Sequence, residues 1–210
     1  MCYLTLILCM AFAFVLGSIP FGLVIAKTIK GIDPRKAGSG NIGSTNVARL
    51  CGWPCGVLTL FCDIMKGTLP VLIAVHVLPD QFLQSLVALA AVMGHIKSPF
   101  LGFKGGKGVA TTAGCMFAFS LTVGLSILAT WIVMMVLTRY VSLSSMVAGL
   151  VLVLTAAWEF WWQDGALSVA DGMALALLFV IFALVVYKHR SNIVRLCNGT
   201  EPKAFSKKSK

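Results

Sequence analysis

The chain has 210 residues, 59% of them hydrophobic and 11% charged, with a mean hydropathy of +0.94. Soluble domains carry about 25% charged residues, so this composition excludes an ordinary water-soluble fold and points to a membrane protein. The net charge of +10 comes without the interleaved aromatic and basic face that nucleic acid requires, so its partners are expected to be membrane lipids and anionic small molecules, and no nucleic acid.

A helix needs ~20 residues to cross ~30 Å of hydrocarbon. Residues 4–27 are the first such segment. Residues 1–16 have no Lys or Arg ahead of the apolar run and no clear small-x-small cleavage site after it, so a first span with its N-terminus outside is expected, not a leader.

A polar stretch follows, Gly38-Ser39-Gly40-Asn41-Ile42-Gly43-Ser44-Thr45-Asn46. It matches G-x-G-x-x-G but lacks the preceding strand that dinucleotide binding requires. Its content says more. Ser39, Asn41, Ser44, Thr45, Asn46 and Arg49 crowd hydrogen-bonding groups beside the membrane. Glycines free backbone N–H groups to face a ligand, and the flanking cations make that ligand an anion. A solvated linker is the competing reading.

Residues 54–78 are the second span. Asp63 and Lys66 lie inside it on one helix face. Such a pair is either functional or a structural ion pair turned to the bundle interior, and it is not assigned to the site. His76 and Asp80 sit at the far end as interface residues, and 84–95 is a short third span.

Lys104-Gly105-Gly106-Lys107-Gly108 comes next. A Walker A loop needs Ser or Thr directly after the Lys; Gly108 stands there, and no later acidic strand offers magnesium a ligand. Gly-Gly-Lys ahead of a helix still suits a phosphate, with N–H groups around the oxygens and one ammonium as a point charge. A positive-inside turn is the competing reading.

Residues 108–138 read as one long span or two short ones, and charge arbitrates, because cytoplasmic loops carry Lys and Arg. Lys27, Lys30, Arg35, Lys36 and Arg49 follow the first span, Lys97, Lys104 and Lys107 the third. Arg139 follows the ambiguous stretch. After the spans 140–160 and 171–187 come Lys188, Arg190, Arg195 and the lysines of the tail. The opposite loops, Pro79-Asp80-Gln81 and Trp161-Trp162-Gln163-Asp164, carry neither. Only two crossings keep every basic loop on one side.

The predicted fold is therefore all-α: a polytopic integral membrane helical bundle of seven segments, N-out and C-in. One pair is short or re-entrant, with two passes of ~15 residues reaching ~22 Å each and turning near 120–124. Its backbone needs protein or a wet cavity around it, and the helix after Gly108 aims its N-terminus back at the basic loop. Residues 1–197 are expected to form one membrane-embedded domain. Residues 198–210 are read as a basic cytoplasmic tail, disordered or lying on the anionic inner surface.

His189 and Asn192, three apart, share a face on a continuing helix. An imidazole there is able to bond an anion, although basic residues at this place also serve topology alone. Asn198-Gly199-Thr200 matches a glycosylation acceptor but falls on the inner side, a chance match. Cys2, Cys9, Cys51, Cys55, Cys62, Cys115 and Cys197 show no Cys-x-x-Cys and no metal spacing, and read as buried free thiols.

Three ordered motifs carry a family resemblance. Gly38 to Arg49 resembles the first motif of the bacterial acyl-phosphate:glycerol-3-phosphate acyltransferases, the PlsY family. Lys-Gly-Gly-Lys-Gly-Val-Ala-Thr at 104–111 looks like the second. His-Arg-Ser-Asn-Ile-Val-Arg-Leu followed by Gly-Thr-Glu at 189–201 looks like the third. Arg139-Tyr140-Val141-Ser142-Leu143-Ser144-Ser145 is similar to the family's serine-bearing loop, and Gly17-Ser18-Ile19-Pro20-Phe21-Gly22 fits as well. Ser44 stands where Ala is more usual.

The resemblance implies a reaction. An acyl group passes from acyl-phosphate to the 1-hydroxyl of glycerol 3-phosphate, giving 1-acylglycerol 3-phosphate (lysophosphatidic acid) and inorganic phosphate. It implies no cofactor and no metal, a place in the bacterial cytoplasmic (inner) membrane, a site facing the cytoplasm, and functional coupling to the soluble enzyme that makes acyl-phosphate. Lys107, His189, Asn192 and Ser142 are the expected catalytic residues. Ser39, Asn41, Thr45, Asn46, Arg49, Lys104, Gly105, Gly106, Gly108, Thr111 and Ser145 are the expected substrate-binding ones. Lys107 and the 105–108 amides would stabilise developing charge, while Ser39, Thr45, Arg49, Ser142, His189 and Asn192 would position the phosphates. His189 is equally a base or a positioning group. The His-x-x-x-x-Asp of the soluble-type glycerolipid acyltransferases is missing. The rival reading is a small anion or phosphate carrier, against which all the polar motifs crowd one side.

Overall fold

The computed structural model describes residues 2–164 and 168–204, and every regular element among them is helical. In chain order these are α1 (Cys2–Ser18), α2 (Phe21–Lys30), α3 (Ser44–Cys51), α4 (Trp53–Val77) and α5 (Gln81–Ile96). After a 3-10 turn at Pro99–Leu101 come α6 (Val109–Phe119), α7 (Leu121–Thr138), α8 (Val141–Asp164), α9 (Val169–Lys188) and α10 (Arg190–Cys197). Five stretches are long and apolar enough to cross a membrane: Tyr3–Lys30, α4, α7, α8 and α9. α5 has 16 residues and α6 has 11.

The first segment is not one continuous helix. Pro20 has no N–H and its ring clashes with the preceding turn, so α1 stops at Ser18 and α2 begins at Phe21. The carbonyls at the break find partners elsewhere. Ser98 Oγ donates to the Ser18 carbonyl at 2.6 Å, and Lys66 Nζ to the Ile19 carbonyl at 2.8 Å. Lys66 Nζ also lies 2.7 Å from Asp63 Oδ1, and both residues are only 2% exposed. The Asp63–Lys66 pair thus takes the structural of its two readings: it clamps α4 onto the α1–α2 break.

Residues 108–138 break at Ser120, but unequally, into 11 and 18 residues rather than two passes of similar length. Ser120 caps α7 through Val123 N at 3.3 Å and donates to Glu159 on α8 at 2.7 Å. α6 rises only ~16 Å at 1.5 Å per residue. It tolerates this because it packs against protein: Thr111, Thr112, Gly114, Cys115 and Met116 are all buried. α4 and α6 cross so closely that a Cβ at Gly67 would lie 2.2 Å from the Thr111 carbonyl oxygen, the small-residue contact by which membrane helices approach. α5 is likewise central, with Val87, Ala88, Ala91 and Val92 wholly buried.

These contacts sort the loops into two ends. At one, Glu159 meets Ser120, Asp80 caps α5 through Leu83 N at 2.9 Å, and Ser168 with Asp171 forms the capping box of α9. Trp158 and Trp162 stack there at 5.7 Å, both exposed, as interfacial aromatics do. At the other end Arg139 and Ala204 exchange backbone and side-chain hydrogen bonds of 2.7 and 3.3 Å. The segment after residue 197 therefore does not depart as a tail at once. It folds back as far as Ala204, and 205–210 lie outside the described residues. Of the cysteines, Cys51, Cys55 and Cys115 are buried free thiols as expected, whereas Cys197 is exposed.

Candidate active site

The first motif is a loop built by its own asparagines. Asn46, 2% exposed, accepts from Ser39 N at 2.9 Å. Its amide donates to the carbonyls of Pro34, Ala37 and Asn41 at 3.0, 3.2 and 2.8 Å. Asn41 Oδ1 accepts from Gly43 N at 2.8 Å. Both asparagines thus shape the loop. The side chains of Ser39, Thr45 and Arg49 have no partner among the described residues. Thr45 and Arg49, four apart on α3, share one face. At the loop's entrance Arg35 grips Asp33 at 2.6 Å and holds its carboxyl far below the usual range.

The second motif is tied to the end of α5. Gly105 N donates to the Ile96 carbonyl and Gly106 N to the His95 carbonyl, each at 3.1 Å. The strip lies so close that a Cβ at Gly106 would sit 2.1 Å from His95 Nε2. These two amides are therefore spent on the fold, a correction to the expectation that all of 105–108 face a ligand. The first intrahelical bond of α6 is Thr112 N to the Gly108 carbonyl, at 2.8 Å. The N–H groups of its first turn remain the free donors. Thr111 is fully buried against α4 with Oγ1 unpartnered. Lys104 turns away from Lys107, into a separate cavity.

Lys107 reaches the third motif. Its Nζ donates to Asn192 Oδ1 at 2.6 Å. The Asn192 amide donates to Glu201 Oε1 at 2.7 Å, and Ser142 Oγ donates to the same oxygen at 2.6 Å. Arg195 Nε completes the set on Glu201 Oε2 at 2.8 Å. Burial works to raise the Glu201 carboxyl, but its bonds to Ser142, Asn192 and Arg195 outweigh it and hold it below its ordinary value. Glu201 is the residue that sequence reasoning missed. The signal was there: a lone acid in a basic segment, closing the third motif. Ser142 is a donor to this carboxylate, not a free nucleophile. Ser145 Oγ bonds the Val141 carbonyl at 2.8 Å and accepts from Trp131 Nε1 at 3.3 Å, so it serves the packing of α7 on α8.

Burial pushes the Lys107 ammonium down to about 8, with Glu201 opposing and Arg195, Arg49 and Lys188 adding to the fall. His189 ends α9, its Nδ1–H donating to the Val185 carbonyl at 2.8 Å. That leaves Nε2 as an acceptor. Burial and then the charge of Lys107 bring the imidazole down to about 4, so it is neutral at pH 7. Neutral His189, cationic Lys107 and Arg49 lie near enough for Lys107 to act on the one and feel the other, with Asn192 fixed between Lys107 and Glu201, and as a set they suit an anion that carries a hydroxyl or carbonyl.

Fold and site together define a multi-pass integral membrane protein with a cationic polar cluster at one end of its helices. Residues 7–199 match the family described as Glycerol-3-phosphate acyltransferase. A protein of that name from Desulfovibrio desulfuricans is 45% identical, over 97% of this chain and 87% of its own. One from Aquifex aeolicus is also 45% identical, over 90% and 94%. The crystal structure of PlsY (YgiH), an integral membrane glycerol 3-phosphate acyltransferase, in its glycerol 3-phosphate form, superposes with a TM-score of 0.85 at 43% identity, covering 95% of both chains. Its lysophosphatidic acid form gives 0.83 at 42%, with the same coverage. The chain belongs to the glycerol-3-phosphate acyltransferase family.

Proposed function

We propose that this acyltransferase moves an acyl group from acyl-phosphate to the 1-hydroxyl of glycerol 3-phosphate, releasing lysophosphatidic acid and inorganic phosphate. The Lys107–Asn192 contact carries the reading. It brings the second and third motifs into contact, with Arg49 of the first near enough to act on the Lys107 charge. Glycerol 3-phosphate places its phosphate by Arg49 and Lys107. Its hydroxyl oxygen attacks the acyl carbonyl carbon, the carbon–oxygen bond to phosphate breaks, and phosphate leaves with the electron pair. Lys107 and the free N–H groups at the start of α6 stabilise the oxyanion. At about 4, His189 is a weaker base than a phosphate whose second pKa is ~6. The hydroxyl proton therefore passes to the phosphate, and His189 Nε2 orients the hydroxyl. No acyl-enzyme forms, in keeping with Ser142 being held on Glu201.

The basic end faces the cytoplasm by the positive-inside rule, which sets seven segments N-out and C-in across the bacterial cytoplasmic membrane. There the site meets both a water-soluble alcohol and a lipid-like donor delivered by a soluble enzyme. Purified protein in detergent tests this. Acyl-phosphate plus glycerol 3-phosphate yields lysophosphatidate with no gradient and no acyl-CoA. No product from that pair, or a requirement for acyl-CoA, refutes it.

A further inference from the structure

The charges of this chain are split between its two ends. No Lys or Arg stands in residues 67–96, 108–138 or 140–187, so the end away from Lys107 carries acids that no Lys or Arg answers. Asp80 and Asp171 there are engaged as helix caps. Glu159 has no such duty. It accepts one hydrogen bond, from Ser120 to Oε1 at 2.7 Å, and Oε2 has no partner among the described residues.

Glu159 lines a cavity of about 280 Å³ beside the α6–α7 break, walled by parts of α5, α6, α7, α8 and α9. Three polar side chains join it from the start of α5. Ser85 is 2% exposed, and its hydroxyl has no partner among the described residues. Gln84, 8% exposed, donates its amide to the Leu78 carbonyl at 3.1 Å and keeps Oε1 free. Gln81 Oε1 is buried without a partner. Buried polar atoms left unanswered are costly, so these oxygens mark a place for a guest that donates. Phe119 and Phe160 line the same cavity, and the face of an aromatic ring attracts a cation.

This set selects among guests. A carboxylate with two amide oxygens, and no Lys or Arg, repels a phosphate. Calcium takes six to eight oxygens, commonly from several carboxylates, and here there is one. A primary ammonium fits, because it brings three N–H donors on a single unit charge. We propose that this cavity binds a primary ammonium, held by Glu159 with the Gln81 and Gln84 oxygens around it. Trp158 and Trp162, on the same stretch of α8, are exposed at 64% and 74%, and such rings settle at the depth of lipid headgroups. The ammonium is therefore carried by a lipid headgroup or by a free amine in water, and the test separates the two sources. The site lies at the opposite end from the acyl transfer and does not rest on that reading.

Purified full-length protein in detergent is titrated with ethanolamine, and with phosphatidylethanolamine and phosphatidylglycerol of matched chains. Native mass spectrometry reads the bound species. Phosphatidylethanolamine is expected to bind about tenfold or more tighter than phosphatidylglycerol, the worth of one charge-assisted hydrogen bond. Glu159→Gln keeps an acceptor for Ser120 and deletes the charge, and is expected to erase that preference. Gln81→Leu removes an oxygen that the fold leaves unused, and is expected to weaken phosphatidylethanolamine about threefold; it decides the matter where Glu159→Gln does not fold. A preference for phosphatidylethanolamine with no binding of ethanolamine assigns the site to a lipid. Binding of ethanolamine that is lost in the variants assigns it to free amines. Equal binding of the two lipids with no binding of ethanolamine overturns the proposal, as does binding that survives Glu159→Gln, or Gln81→Leu in its place.

Discussion

Lys107 Nζ and Asn192 Oδ1 lie 2.6 Å apart across 85 residues of sequence. The bond fixes an ammonium that would otherwise swing freely, and aims its remaining donors at the pocket. Asn192 is fixed in turn by Glu201, and Glu201 by Ser142 and Arg195. The Lys107 charge is thus the end of a chain running from α8 through the C-terminal segment.

Lys107→Ala removes that charge. It is expected to lower kcat by about 10²–10³-fold, the usual loss on removing one oxyanion donor, with insertion and melting temperature unchanged. Near-normal turnover in the purified variant counts against the proposed role.

Glu201→Gln keeps the shape and deletes the carboxylate. Glu201 raises the pKa of Lys107, so its loss moves Lys107 below about 8 and shifts the alkaline limb of the pH–rate profile to lower pH. A merely structural role would reduce the rate at every pH and leave the limb in place.

The wild-type profile follows from the same groups. As pH rises through about 8, Lys107 loses its proton, and kcat/KM for glycerol 3-phosphate falls towards about tenfold per pH unit. Between pH 5 and 7 His189, at about 4, stays neutral and contributes no inflection. Initial rates from pH 5 to 10 read both.

Asn46→Ala strips four hydrogen bonds from the first loop, each worth about 0.5–1.5 kcal/mol. Thr45 and Arg49 lose their setting. The KM for glycerol 3-phosphate is expected to rise while the alkaline limb, set by Lys107, stays where it is. Kinetics that match wild type would show that the loop needs no such scaffold.

Lys66→Met leaves the buried Asp63 with only His95, 3.8 Å away, beneath the α1–α2 break. Removing one member of a buried pair costs about 3–5 kcal/mol, so thermal unfolding in detergent comes at lower temperature. Lys66→Met/Asp63→Leu recovers much of the loss. Equal melting of wild type and the single variant would contradict the clamp.

Much of this was legible in the sequence, and the gaps have causes. The helices follow from hydrophobic run length, and the grouping of loops at one end from the distribution of Lys and Arg. The Pro20 break was missed because an apolar run reads as continuous across a proline when the next residues are apolar too. The roles of Asn41 and Asn46 were hidden because donor inventories do not say whether an amide faces a ligand or its own loop. Gly105 and Gly106 misled for a related reason: glycine marks a close approach, and here the approach is to His95 rather than to substrate. Glu201 escaped because its partners Ser142, Asn192 and Arg195 come together only in the fold.

In the proposed reaction both reactants occupy one site together and the acyl group passes directly between them. Initial velocities measured over a grid of acyl-phosphate and glycerol 3-phosphate concentrations test it most directly. Double-reciprocal lines that intersect, as for a ternary complex, are the predicted result. Parallel lines, the signature of an acyl-enzyme intermediate, would contradict it.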